Sequence, residues 1–254
     1  MHLGHNNPCH DYQMKDNEGN YKHLEETEME KDLGLHVDNK LSFHHHVSQA
    51  VVKANRTLGM IKRTFVTRDN HIIKKLYTTM VRPLLEYGNA PRIHQFAGDI
   101  DKMEKVQRRA TKLCKAIKDL PYEERLQKLK LPSLLFRRKR GDMIQVWKIL
   151  TGKDRIDKEN LLPLPNSTRT RGHTLKLGKQ RGRLNVRKQS FGLRVVNDWN
   201  SLPDWVVCAK DINQFKNNLD CYWSKRQYTT RTTHATTVHH QEDLSGSYRH
   251  EPFS

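Results

Sequence analysis

Wound at helical pitch, the segment from Ile100 to Lys118 sorts its side chains into two opposed stripes. Ile100, Met103, Val106, Ala110, Leu113 and Ile117 recur at steps of three and four and share one face. Lys105, Arg108, Arg109, Lys112 and Lys115 recur at the same steps on the other side. The first stripe requires a core to pack on. The second is a ladder of cations that only an acidic partner answers well.

Cations on a helix also serve solubility, so the whole chain has to be weighed. It holds 46 Lys and Arg against 28 Asp and Glu, a formal charge of +18 and a pI of about 9.8. An imbalance of that size is expected of a surface that binds a polyanion. Nucleic acid is expected over a membrane, because no apolar run approaches the roughly 20 residues needed to span a bilayer. Met1 is followed by polar residues and not by the apolar stretch of a secretory signal. The 254 residues suffice for one or two domains, but only 35% are hydrophobic and the mean hydropathy is −0.88, which predicts a modest core under a wet surface. Cys9, Cys114, Cys208 and Cys221 show neither zinc-site spacing nor a disulfide framework, so a reducing compartment is the default. Cys9-His10 and His44-His45-His46 lack the spacing that lets ligands converge on one ion, and no metal site is expected.

Turn chemistry at Asn6-Asn7-Pro8 and Asn17 to Asn20 opens the chain, and the alternation of Leu33, Leu35 and Val37 predicts a half-buried strand. So small a sheet is expected either to have leaned on further sheet now missing or to lean on the helices that follow. Ser42 is placed to cap a helix with the apolar face Val47, Ala50, Val51, Ala54, Leu58, Ile61 and Phe65. Asp69 is placed to cap the next, with Ile73, Leu76, Tyr77, Met80 and Leu84, which Pro83 bends or ends. Asp99 and Asp101 fall at the start of the two-striped helix, where its positive end accounts for them more simply than acid/base chemistry. Pro121 breaks the chain, a short helix runs from Tyr122 to Leu129, and Pro132-Ser133 opens another that reaches Leu150 before Gly152. Arg137, Arg138, Lys139 and Arg140 crowd its first turns, at a cost of about a few tenths of a kcal/mol each. Either an external anion answers them, or the run is a solvated or nuclear-localisation-like stretch.

Residues 154–170 read as a polar linker. Leu175 and Leu177, then Leu184 and Val186, flank Gly178 to Gly182 and predict a β-hairpin with Lys176, Lys179, Arg181, Arg183, Arg187 and Lys188 outward, able to follow a phosphate backbone. Asp211 is placed to cap a last helix with Ile212, Phe215, Leu219 and Tyr222. Beyond Trp223 the Thr, His and Ser richness predicts a disordered tail.

Several strings occur in a fixed order: EKDLGLHVDNKLSF (Glu30 to Phe43), KANRTLGMIKRTF (Lys53 to Phe65), RPLLEYGN (Arg82 to Asn89), EKVQRRATKL (Glu104 to Leu113) and LPYEERLQKLKLPSL (Leu120 to Leu134). RRKRGDMIQVWKIL (Arg137 to Leu150), RTRGH (Arg169 to His173) and VVNDWNSLP (Val195 to Pro203) follow. Over Met1 to Trp223 this set resembles the thumb and following C-terminal region of the endonuclease/reverse transcriptase of jockey-like, LINE-type retrotransposons. The resemblance implies a mainly α protein. Residues 1–41 would be the end of the polymerase palm near the primer grip, a small β remnant. Residues 42–153 would be a helical thumb gripping the template–primer duplex. Residues 154–223 would be a post-thumb region with the basic hairpin near 174–188, and 224–254 the tail.

On this reading Lys105, Arg108, Arg109 and Lys112 bind phosphates, as do Arg137, Arg138 and Arg140, while Arg169, Arg171, His173, Arg181 and Arg183 supply a second contact. The expected partners are an RNA or DNA duplex, held by its backbone, and the palm and fingers of the same polyprotein; the expected setting is a nuclear or cytoplasmic ribonucleoprotein. Two departures bear on activity. The family's aromatic-x-Asp-Asp signature, which holds its catalytic magnesium ions, has no counterpart, since the chain has no Asp-Asp pair. No catalysis and no cofactor are therefore expected of this chain alone. Ala90 to His94, APRIH, stands where relatives show an apolar stretch with a Trp. A domesticated or relic protein-interaction module is the alternative.

Overall fold

A computed structural model describes residues 1–3, 7–88, 97–163, 165, 172–183, 187–188 and 190–227. The chain is mainly helical and falls into two units, Met1–Ser201 and Leu202–Ser254.

The opening strands pair locally. β1 (Gln13–Lys15) and β2 (Tyr21–His23) are antiparallel with Met14 opposite Lys22, and every residue of both is exposed. β3 (Met29–Asp32) and β4 (Leu35–Asp38) form a second hairpin, with Asp32 opposite Leu35. The strand expected to include Leu33 begins only at Leu35. Leu33 and Gly34 both have positive φ, 44° and 82°, the twist a two-residue hairpin turn requires, so Leu33 points into solvent. Of the two supports expected for so small a sheet, this hairpin has the second, the helices that follow. The Tyr87 hydroxyl donates to the Leu33 carbonyl, and Gly88, at φ 68°, lies so close to Leu35 that a Cβ there would sit 2.3 Å from Leu35 Cδ2.

The entry to the first long helix, α1 (His44–Thr64), is built by Ser42 and Asp38 together: the Ser42 hydroxyl accepts from the His44 N–H at 3.4 Å. Phe43 occupies the cap position in a left-handed conformation, and the Asp38 carboxylate accepts from the N–H groups of Lys40, Ser42 and Phe43 and from the Ser42 hydroxyl. Burial alone would raise the Asp38 pKa; these bonds outweigh it and hold the carboxyl below its usual range. α2 (Asn70–Leu76) is capped by Asp69, which accepts from the His71 N–H at 2.7 Å. A π-turn at Tyr77–Val81 continues it into α3 (Arg82–Glu86), where Pro83 sits in the first turn, the place its missing N–H is tolerated. α4 (Ala97–Lys112) ends before a 3-10 turn at Lys115–Ile117; α5 (Tyr122–Leu129) and α6 (Leu134–Leu150) follow, α6 capped by Ser133.

His44 meets Asp99 and Asn55 meets Arg109, so α1 and α4 run parallel. Val47, Ala54, Leu58 and Ile61 of α1, Ile73, Tyr77, Val81 and Leu85 of the following helices, and Met103, Val106 and Ala110 of α4 share one apolar cluster. Cys114 is enclosed in it, and burial pushes its thiol up to about 11, which leaves it unreactive near neutral pH.

The buried face of α4 is wider than its apolar stripe, for it also encloses Glu104, Gln107 and Thr111. The Tyr77 hydroxyl donates to Gln107 Oε1 at 2.6 Å, and Gln107 Nε2 donates to the Pro132 carbonyl at 3.1 Å. Glu104 accepts from the Tyr122 hydroxyl through one oxygen and from the Leu134 N–H, at 3.0 Å, through the other. One buried carboxylate thus satisfies an otherwise orphaned donor at the start of α6.

The later part of the first unit holds α7 (Lys158–Leu161) and α8 (Phe191–Asn200), the latter packed on α6. The hairpin expected near 174–188 is not formed over its described part, because residues 172–183 contain no strand. The segment instead straps α8: Trp199 Nε1 donates to the Leu175 carbonyl at 2.7 Å, and the Asn200 side chain both donates to and accepts from Leu177. In the second unit are α9 (Asp204–Val207) and α10 (Ile212–Gln227), whose start Asp211 caps through the N–H groups of Asn213 and Gln214. α10 extends past Trp223, and the tail expected to be disordered lies, from 228 on, outside the described residues.

Candidate nucleic-acid interface

Lys105, Arg108, Arg109 and Lys112 are all exposed, and helical geometry puts them within an arc of roughly 100° on α4. Parallel packing fixes what lies beside them. Arg109 Nη1 donates to Asn55 Oδ1 of α1 at 3.0 Å, and the Arg108 guanidinium lies 5.1 Å from the centre of the Tyr122 ring. Both arginines are thereby oriented, Arg109 by a neutral amide and Arg108 by an aromatic face. Asp101 intrudes on the same arc, with Lys105 Nζ 2.7 Å and Arg108 Nη1 3.8 Å from its oxygens. The hydrogen bond from Lys105 and the two positive charges hold the Asp101 carboxyl below its usual range. It competes with any phosphate for these two cations. Asp101→Asn is therefore expected to raise duplex affinity about fivefold, the equivalent of roughly 1 kcal/mol for one exposed charge at contact distance, as read by fluorescence anisotropy; an unchanged or lower affinity refutes the competition.

The C-terminal ends of α1 and α4 lie side by side. Arg68 Nη2 donates to the Lys62 carbonyl at 3.5 Å and the Lys115 N–H to the Arg68 carbonyl at 3.3 Å. Lys62 and Arg63 fall in the last turn of one helix, Arg109 and Lys112 in the last turn of the other, where cations meet the negative end of the backbone dipole.

The basic run of α6 is arranged differently from the expectation that all of it meets phosphate. Arg137 is taken by Glu86 through both Nε and Nη2. Lys139 is 3.1 Å from Asp198. Arg138 lines a small cleft with Leu85, Glu86, Ile100, Met103, Leu134 and Leu135, and burial, then Arg194, pushes its pKa down to about 10. Arg194 in turn holds Asp142 bidentately, at 3.0 and 2.8 Å, with both side chains largely buried. Carboxylates brought in from α3, α6 and α8 answer these cations, and Arg137 and Arg138 are half-buried. Arg140 is half-buried.

His173 is placed inside the fold. It is 2% exposed, with its Nε2 3.2 Å from the Trp199 carbonyl and its ring edge-on to the indole, and it serves the packing of α8. Arg181 and Arg183 are exposed, while Arg169 and Arg171 lie outside the described residues.

Sequence periodicity passed over the cations of α1. From Asn39 to Arg68 there is no Asp or Glu, yet Lys53, Arg56, Lys62 and Arg63 all fall in α1 and are exposed. The signal available was that acid-free run. Among the described residues no group of three or more His, Cys, Asp or Glu is arranged to hold a metal ion, and no helix is long and apolar enough to cross a membrane. A scan against protein-family models, a search of curated proteins and a search of solved structures each found no match to this chain.

Proposed function

We propose that this chain binds nucleic acid through the phosphate backbone, as a thumb-like and post-thumb portion of a LINE-type retrotransposon reverse transcriptase, without catalysis of its own. The observation that carries the reading is the exposed cation arc of α4, Lys105, Arg108, Arg109 and Lys112. Its side chains reach outward from a helix fixed on its other side by the core, so they present charge at a set spacing and read no base edges. A polymerase thumb needs that property, since it must slide over any sequence. The ordered strings resembling the retrotransposon family support the more specific half of the proposal.

Binding of this kind releases counterions. If about 6 phosphates are neutralised, affinity falls on the order of a thousandfold between 50 and 200 mM salt. A titration of duplex binding against salt checks this, and a flat response removes the proposal. The rival, a protein-interaction module centred on the Trp199 region, has less support because Trp199 is fully buried.

A further inference from the structure

We infer that the bare face of the β1–β2 hairpin docks on the exposed side of α1 in a second copy of this chain, acidic hairpin against basic helix. The contact needs no nucleic acid, and the nucleic-acid reading above stands whether or not it forms.

A two-stranded hairpin is marginally stable at best in water. β3–β4 leans on the helices, whereas every residue of β1 and β2 is exposed. The two faces of β1–β2 differ. On one, Gln13 Nε2 lies 3.1 Å from His23 Nε2 and the Lys15 ammonium 5.0 Å from the centre of the Tyr21 ring, so the cross-strand pairs answer each other. On the other stand Tyr12, Met14 and Leu24, beside a Lys22 held by Asp16 at 3.3 Å. The register, continued by the bond from the Leu24 N–H to the Tyr12 carbonyl at 2.8 Å, sets these three on the same side. They are 60%, 63% and 51% exposed, even with His2 stacked on Tyr12. Such a face calls for a cover.

Charge says what covers it. Residues 1–41 hold nine Asp and Glu against four Lys and Arg, while the remaining residues hold 19 against 42. Glu25, Glu28, Glu30 and Asp32 follow directly on the bare face, exposed and without an ion-pair partner among the described residues. In α1, Val52, Arg56, Met60 and Arg63 recur at steps of four, four and three and share one exposed side, with Lys53 next to it. Lys53, Arg56 and Arg63 likewise have no ion-pair partner among the described residues. The two surfaces match in kind and oppose in sign: apolar side chains set among carboxylates on one, apolar side chains set among cations on the other. Carboxylates and cations that do not answer each other within a chain can do so between chains, and every copy supplies both halves. A nucleic acid is excluded from the hairpin face, since its phosphates and these carboxylates repel.

The test is sedimentation velocity on the full chain, nuclease-treated so that no residual polyanion bridges two basic molecules. The wild type is expected to self-associate at about 50 mM salt and to do so at least about tenfold more weakly at about 500 mM, where exposed charges are screened. E25K/E28K/E30K and R56E/R63E are each expected to be monomeric alone, because like charges then face each other, and to associate when mixed, because the mixture restores opposite signs. M14S/L24S keeps every charge and is expected to weaken association about tenfold through the lost apolar contact. A wild type that stays monomeric at about 50 mM salt overturns the proposal and leaves the hairpin to a different protein. So does undiminished association of either charge variant, or a mixture that stays monomeric while both variants keep their helical circular dichroism. Should a charge variant lose that signal, M14S/L24S decides, and unchanged association in it overturns the proposal.

Discussion

Replacing Lys105, Arg108 and Arg109 together by glutamate is expected to lower duplex affinity at least about a hundredfold at moderate salt and to reduce the salt slope by about three. The three side chains point away from the core, so the loss is expected without unfolding. The nearest cost is repulsion between Asp101 and the carboxylate that replaces Lys105 one helical turn away, about a few tenths of a kcal/mol, which a melting curve registers as a shift of a degree or two. Affinity retained at the wild-type level and slope sinks the α4 interface, and a protein partner then becomes the better reading. The triple alanine variant is expected to fall between, because it removes attraction without adding repulsion.

The second large effect is on stability. Asp142→Ala is expected to cost about 3–5 kcal/mol, since it leaves the guanidinium of Arg194 in a largely buried position without its bidentate partner. Asp142 also offsets part of the penalty on Arg138, which burial and Arg194 push down to about 10. Two sheltered cations therefore depend on one carboxylate. Adding Arg138→Met to Asp142→Ala is expected to recover part of the loss, because an apolar side chain of similar length fits the cleft lined by Leu85, Ile100, Met103 and Leu134. Urea denaturation of the single and double variants measures both. A loss under about 1 kcal/mol for Asp142→Ala would show that water reaches the pair and screens it.

These predictions separate the cations by surroundings, and that separation is where sequence and tertiary structure part. By sequence pattern Arg108 and Arg138 are alike, each a basic residue on an amphipathic helix near others of its kind. In the fold Arg108 lies exposed beside the Tyr122 ring, whereas Arg138 is drawn into a cleft between α3, α4 and α6. No local signal distinguishes them, because the difference is made by Glu86, Asp142 and Arg194, up to 56 positions away. The strap at Leu175 to Leu177 has the same origin. Its alternation suits a strand equally well, and its partner is not the segment after Gly182 but Trp199 and Asn200.

The features legible from the residues alone were set by short-range physics. The caps at Asp69, Ser133 and Asp211, the stop at Gly152, and the apolar stripes of α1, α4 and α6 all follow from residues within a turn or two of one another. Those interactions form the same way wherever the helix goes. Folding was needed to place Glu104 and Gln107 inside and to choose which arginines stay in water. Each of these depends on a hydrogen-bond or charge partner that only the folded chain brings near, and a buried polar group is stable only where such a partner waits.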